Sequence, residues 1–318
     1  KGVTAVITGE RGEKTLTRQG LEEYVSDCVI LLDFRVIDQL ATRRLRIVKY
    51  RGSTHGTNEY PFLIDENGIS VLPITSLKLE HKISNEIIST GLEDLDNLFQ
   101  KKGMYRGSSM LVSGSAGTAK TILAAGFAQS SCLRKEPTLY FAFEESPGQI
   151  VRNMRSVGIN FDPFIKSGLL HLYASRPSMQ GLERHLLLLY NLIEEYKPRT
   201  VIVDPITSLI SIGSVTEVRD MLVRLIDLLK THSINALFTA LTNGSAEDKE
   251  LTVNAVSSLA DIWIKLTNGY LGTSGARSLR VVKARGLAHH SGEQFFKISN
   301  KGISFIDEHE IRQKKSNG

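Results

Sequence analysis

Two cysteines in 318 residues leave no disulfide framework and no thiolate cluster to organise a fold around. Cys28 and Cys132 lie in separate segments amid apolar neighbours, and they read as reduced core thiols of a cytoplasmic protein. Long hydrophobic runs are missing as well. The longest, HLLLLYNLI at 185–193, is too short to cross a bilayer, and no stretch resembles a signal peptide. Nor is there a strong charge imbalance. A formal charge of +5, with 41% hydrophobic and 23% charged residues, is ordinary for a globular chain. It is compatible with a nucleotide or nucleic-acid ligand and demonstrates neither.

What the sequence does contain is an echo. RIVKYRGSTH (46–55) returns as RVVKARGLAH (280–289), an offset of 234 (280 − 46). The offset also matches Glu59 with Glu293 and Phe62 with Phe296. It lays VSDCVILL (25–32) on LADIWIKL (259–266), and TAVIT (4–8) on FTALT (238–242), so TAVIT is expected to be a strand. A constant offset of this size means a duplicated domain, since solenoid repeats are far shorter. Residues 1–78 are therefore expected to be the last part of an upstream copy, unable to bury a core of their own. Residues 79–318 are expected to be a complete second copy with a short charged tail, DEHEIRQKKSNG.

Three strands of that second copy are expected to end in phosphate or metal chemistry. SMLVS, then GSAGTAKT, then ILAAGFAQSSCL reads as strand, glycine-rich loop and helix. This is the order in which backbone N–H groups and a helix N-terminus cradle phosphates. The cradle would run through Ser115, Ala116, Gly117, Thr118, Ala119, Lys120, Thr121 and Ile122. Lys120 would reach the outer phosphates and the Thr121 hydroxyl would hold Mg²⁺. Ala119 stands where the pattern GxxxxGK[ST] has glycine. Its Cβ would cost about 1–2 kcal/mol in a left-handed conformation and almost nothing in a first helical turn. Alone, the loop could also be a glycine-rich turn before a core helix.

The strand TVIV suits burial on both faces of a parallel sheet, with Asp204 emerging at its carboxyl edge, where ligands collect. TLYFAFEES (138–146) ends in Glu144 and Glu145, a pair able to align an attacking oxygen, accept its proton and, through Glu144, hold Mg²⁺. The plain alternative for the pair is a solvent-facing strand end. The three motifs together point to nucleotide binding.

STGLEDLDNLF (89–99), GSAGTAKT, FAFEES, VIVDPITSL and KARGLAH with its echo KYRGSTH resemble the KaiC family of circadian clock systems. The likeness covers essentially the whole chain. It implies a tandem RecA-like P-loop fold, α/β with a central, mostly parallel, twisted sheet flanked by helices, the first copy partial. It implies a homo-hexameric ring with ATP at subunit interfaces, and a non-specific serine/threonine autokinase with ATPase activity in a clock or timing system. By resemblance Glu144 and Glu145 are the catalytic acids, with Lys120 beside them. Arg277, Lys283, Ala284 and Arg285 reach ATP, Lys283 and Arg285 that of the neighbouring protomer. A KaiB-like partner follows from the likeness, whereas a KaiA partner is left open.

The resemblance also places phosphoacceptors at Ser257 and Ser258, with Thr252 as auxiliary. The family's usual second acceptor is threonine, so Ser258 keeps a hydroxyl. At the same offset the first copy has Glu23 and Tyr24. Divergence of this kind suggests hydrolysis in the first ring and regulated transfer in the second. Two serines capping a turn is the plain alternative, and His55 and His289 read as structural.

Two other functional classes fit the fold. A RecA- or DnaB-like DNA motor would need basic or aromatic loops facing the ring centre. SIGSVTEVRD (211–220) carries one arginine and two acids, and LTNGSAEDKEL (241–251) is net acidic. An assembly module that binds nucleotide without turnover has only Ala119 in its favour.

Overall fold

The computed structural model describes residues 2–10, 22–37, 40–65, 68–71, 83–177, 181–242, 253, 256–271 and 274–306. Thr252, the tail 307–318, most of the 241–251 segment and the 78/79 boundary lie outside the described residues. The chain divides into two compact units, residues 1–77 and 78–318. No helix among the described residues is long and apolar enough to cross a membrane.

In the first unit, α1 (Glu22–Val25) precedes an antiparallel meander of β1 (Cys28–Ile37), β2 (Leu40–Tyr50), β3 (Glu59–Asp65) and β4 (Gly68–Val71), paired in that order. The expected strand TAVIT is corrected here. Residues 2–10 take no regular structure, and Val6 is 90% exposed. A strand needs neighbours for its backbone groups. The matching segment belongs to a strand, 235–241, that has neighbours on both sides, whereas residues 4–8 pair with no described strand. Cys28 is exposed, so of the two expected core thiols only Cys132 is buried.

The second unit opens with a two-stranded ladder, β5 (Ile87–Ile88) against β6 (Met104–Tyr105), enclosing α2 (Glu93–Asp96) in sequence. Then come β7 (Ser109–Gly114), α3 (Lys120–Leu133), β8 (Thr138–Ala142), α4 (Pro147–Ser156), α5 (Asp162–Lys166) and β9 (Leu170–Ala174). They are followed by α6 (Leu182–Tyr196), β10 (Thr200–Asp204), a 3-10 turn (Ile206–Ser211), α7 (Val215–Thr231) and β11 (Asn235–Leu241). Two hairpins finish it: β12 (Ile262–Leu271) with β13 (Ser274–Ala284), and β14 (Gln294–Ser299) with β15 (Gly302–Phe305).

The nine strands lie in the order β15-β14-β13-β12-β7-β11-β10-β8-β9. Every pairing from β12 to β9 is parallel, and the three at the other edge are antiparallel. The expected mostly parallel α/β sheet is what forms. Alternation along each strand divides the core. Met110, Val112, Tyr140, Ala142, Ile202 and Leu237 share a cluster with Leu123, Ala124 and Phe127 of α3. Their strand neighbours Leu111, Leu139, Phe141, Val201 and Phe238 are equally buried, with α6 packed on β8 and α7 on β11. Capping boxes start α4 at Ser146/Gln149 and α7 at Ser214/Glu217, each satisfying two orphan helix N–H groups.

The duplication is visible in register. Cys28 pairs with Tyr50 and Ile262 with Ala284, and the ladders slip between Val29/Ile30 and between Trp263/Ile264. Each of these positions differs from its counterpart by the sequence offset, so even the bulge is repeated.

Candidate nucleotide-binding site

The chain leaves β7 into the loop, crosses over as α3, and places β8 beyond β11 and β10. That jump opens a crevice at the carboxyl edge of the parallel strands. Thr121, Glu144, Glu145 and Asp204 line one cleft there, with Ala142, Ile150 and Pro205 beneath them. Sequence motifs separated by more than eighty residues thus meet at one place.

The loop is tight. A Cβ on Gly114 would stand 2.6 Å from both the Leu266 carbonyl and Thr118 Oγ1. Thr118 Oγ1 donates to the Ser115 carbonyl at 2.8 Å. Gly117 and Ala119 both turn left-handed, at φ 75° and 79°. Ala119 therefore takes the costlier of its two expected conformations. As the residue before α3 it offers no side-chain cap, and the first turn carries no acidic residue. The leading N–H groups of α3 have no carboxylate competing for them, which suits an anion.

Lys120 is folded against its own loop, its Nζ donating to the carbonyls of Gly114 (2.9 Å) and Ser115 (2.8 Å). Burial lowers its pKa, while the charges of Asp204 and Glu144 act in the opposite direction. Ser208 Oγ donates to Glu144 Oε1 at 2.7 Å, and Asn153 Nδ2 to Glu145 Oε2 at 2.9 Å. Asp204, 8% exposed, accepts from Tyr140 Oη (2.6 Å) on one oxygen and from Thr239 Oγ1 on the other. A hydroxyl and several carboxylates form an oxygen-donor set that would suit Mg²⁺. The residues fit both expected cofactors.

Of the four expected ATP residues on β13 and just after it, Arg277 meets the loop, whereas Lys283, Ala284 and Arg285 sit elsewhere. Arg277 on β13 donates from Nε to the Gly117 carbonyl at 2.9 Å, so it meets the loop of its own chain, with Asn268 Nδ2 beside it on the Ala116 carbonyl at 3.3 Å. Lys283 Nζ donates instead to the Ser257 carbonyl, and Arg285 to that of Ser258. Ala284 packs at the margin of the core, as does Ile122 in the first turn of α3. Register explains the separation. Ile262 pairs with Met110 and Leu266 with Gly114, so the serines precede β12 at the sheet edge opposite the loop. Strand rise alone puts these edges about 13 Å apart. Burial lowers the Lys283 pKa, and the neighbouring Arg285 charge adds to the effect.

Ser208, Asn153, Tyr140, Thr239 and Asn268 were missed from sequence. Asn153 and Asn268 lie outside the motifs, Ser208 stands within VIVDPITSL without a local signal of its own, and a polar residue inside an otherwise apolar strand, as in TLYFA or FTAL, could have signalled Tyr140 and Thr239.

A phosphate loop opening into α3, with acids at the ends of neighbouring parallel strands, defines a RecA-like P-loop nucleotide-binding domain. The chain belongs to the KaiC family: the family model "ATPase: KaiC" matches residues 1–76 and 88–310. It is 52% identical to circadian clock protein KaiC2 of Synechocystis over 96% of this chain and 54% of that protein. It is 33% identical to KaiC3 of the same organism, over 95% and 60%. To the circadian clock oscillator protein KaiC of Synechococcus elongatus it is 32% identical, over 96% and 59%. The chain thus spans little more than half the length of these relatives.

Proposed function

We propose that this chain is the ATP-binding, autophosphorylating part of a ring-forming, cytoplasmic timing protein, with residues 1–78 and 79–318 deriving from two successive domain copies. Lys120 and the α3 N-terminus hold the triphosphate, Thr121 and Glu144 hold Mg²⁺, and Asp204 supports it. The serine oxygen bonds to the γ-phosphorus as the bond to the β-phosphate oxygen breaks. ADP leaves, and the hydroxyl proton passes to Glu144 or Glu145.

The observation that carries this reading is the placement of Ser257 and Ser258 with Lys283 and Arg285 at the edge opposite the phosphate loop. Neither serine hydroxyl there can reach a phosphate held by its own chain. Transfer therefore needs a second protomer, which a closed homo-hexamer supplies head to tail. A KaiB-like protein would read the resulting charge, each phosphate adding roughly −1.5 to −2.

Mixing two disabled chains tests the reading. Lys120→Ala keeps the serines but loses the phosphate grip; Ser257→Ala with Ser258→Ala keeps the grip but has no acceptor. With Mg-ATP, each alone should stay unmodified by mass spectrometry. Mixed rings should gain phosphate on the Lys120→Ala chain, at Ser257 or Ser258. Wild-type rings without modification there, or a mixture as silent as its components, would overturn the proposal.

A further inference from the structure

We propose that Tyr140 and Thr239 are positioning residues for Asp204, two hydroxyls that hold its carboxylate in the orientation from which it serves Mg²⁺ on the bound nucleotide. This rests on the reading of the cleft as a Mg-nucleotide site. The three side chains stand on neighbouring parallel strands, β8, β10 and β11. Tyr140 Oη donates to Oδ2 at 2.6 Å and Thr239 Oγ1 donates to Oδ1. Both hydroxyl residues are completely buried. An ionised carboxylate only accepts, so two donors from different strands can fix its plane without competing for its outward lone pairs. Asp204 lines the cleft together with Thr121 and Glu144.

Tyr140 makes the arrangement specific. It sits among apolar residues of a strand that could hold phenylalanine in the same volume, and its ring belongs to the α3-side core. A buried phenol in such a place needs a strong acceptor, and Asp204 provides one. Burial, and the nearby Asp204 charge after it, push the Tyr140 hydroxyl well above its ordinary range, which keeps the proton on the tyrosine. Outer-shell donors of this kind typically govern metal affinity by about 10–100-fold.

The test measures the dissociation constant of a fluorescent ADP analogue twice, in EDTA and in excess Mg²⁺, on the full chain. The ratio isolates the metal's share of binding. Tyr140→Phe and Thr239→Val should each cut the ratio about tenfold while leaving the EDTA value unchanged, and Thr239→Ser should restore it. In an Asp204→Asn background neither substitution should reduce the ratio further. A merely structural role would weaken binding equally in both conditions. That outcome, or a wild-type ratio in both variants, overturns the inference while leaving the nucleotide site intact. A wild-type protein whose binding ignores Mg²⁺ would overturn the site itself and this inference with it. Should Tyr140→Phe fail to fold, Thr239→Val approaches the same carboxylate from the other strand and decides alone.

Discussion

Ala119 shows how a single departure from a motif is accommodated. The loop requires a left-handed residue at the entrance to α3, and alanine occupies it at φ 79°. The strain is about 1–2 kcal/mol, offset in part because alanine leaves the unfolded chain fewer conformations to lose, worth about 0.4–1 kcal/mol. Ala119→Gly is therefore expected to stabilise the second unit by about 0.5–1 kcal/mol, read as a higher denaturant midpoint at unchanged slope. No gain would mean that the loop carries little strain. Asp27 and Asp261 teach the complementary lesson, that one residue type serves different ends in different surroundings. Asp27 has 84% of its side chain exposed. Asp261, its counterpart, accepts from the Ser109 amide and hydroxyl and pairs with Lys230 at 2.9 Å.

At the scale of elements, the K-x-R strand is a clamp before it is anything else. Lys49 donates to the Glu23 carbonyl at 2.9 Å and Arg51 to that of Tyr24 at 2.9 Å. Lys283 and Arg285 do the same for Ser257 and Ser258. The first copy has no serine pair and keeps the clamp, so holding the carbonyls of the turn that leads into β1 or β12 is its structural role. Cations belong at such carbonyl ends. Lys283→Met should speed amide exchange at Ser257–Ala260 and destabilise the second unit by about 1 kcal/mol, whereas Lys283→Arg should do neither. Exchange as slow as wild type in Lys283→Met would mean that Arg285 alone holds the turn.

At the scale of the molecule, the two units differ in what covers their sheets. Ile30 and Leu32 on β1 are 54% and 50% exposed, while their counterparts Ile264 and Leu266 are 0% and 1% exposed. β12 has β7 along its other edge and joins the α3-side core; β1 pairs only with β2 among the described strands. At about 25 cal/mol per Å² of apolar area removed from water, the second unit must carry nearly all the stability. Excising residues 1–77 should leave the main calorimetric transition at its wild-type temperature. A large drop would show that the first unit contributes a core of its own.

Much of this was written in local pattern. The loop, the acid-ended strands, the helix after Gly114 and the 234-residue echo depend on residue order and on two periodicities, 2 for strands and 3.6 for helices, so they could be read directly. TAVIT shows the limit, because its pattern is that of a strand and no strand among the described residues pairs with it. Only the tertiary structure decided that Tyr140 and Thr239 close on Asp204, that Arg277 meets its own loop, and that Lys283 and Arg285 hold the serine turn far from it. Those contacts join strands through register and crossover, over separations that no local pattern encodes.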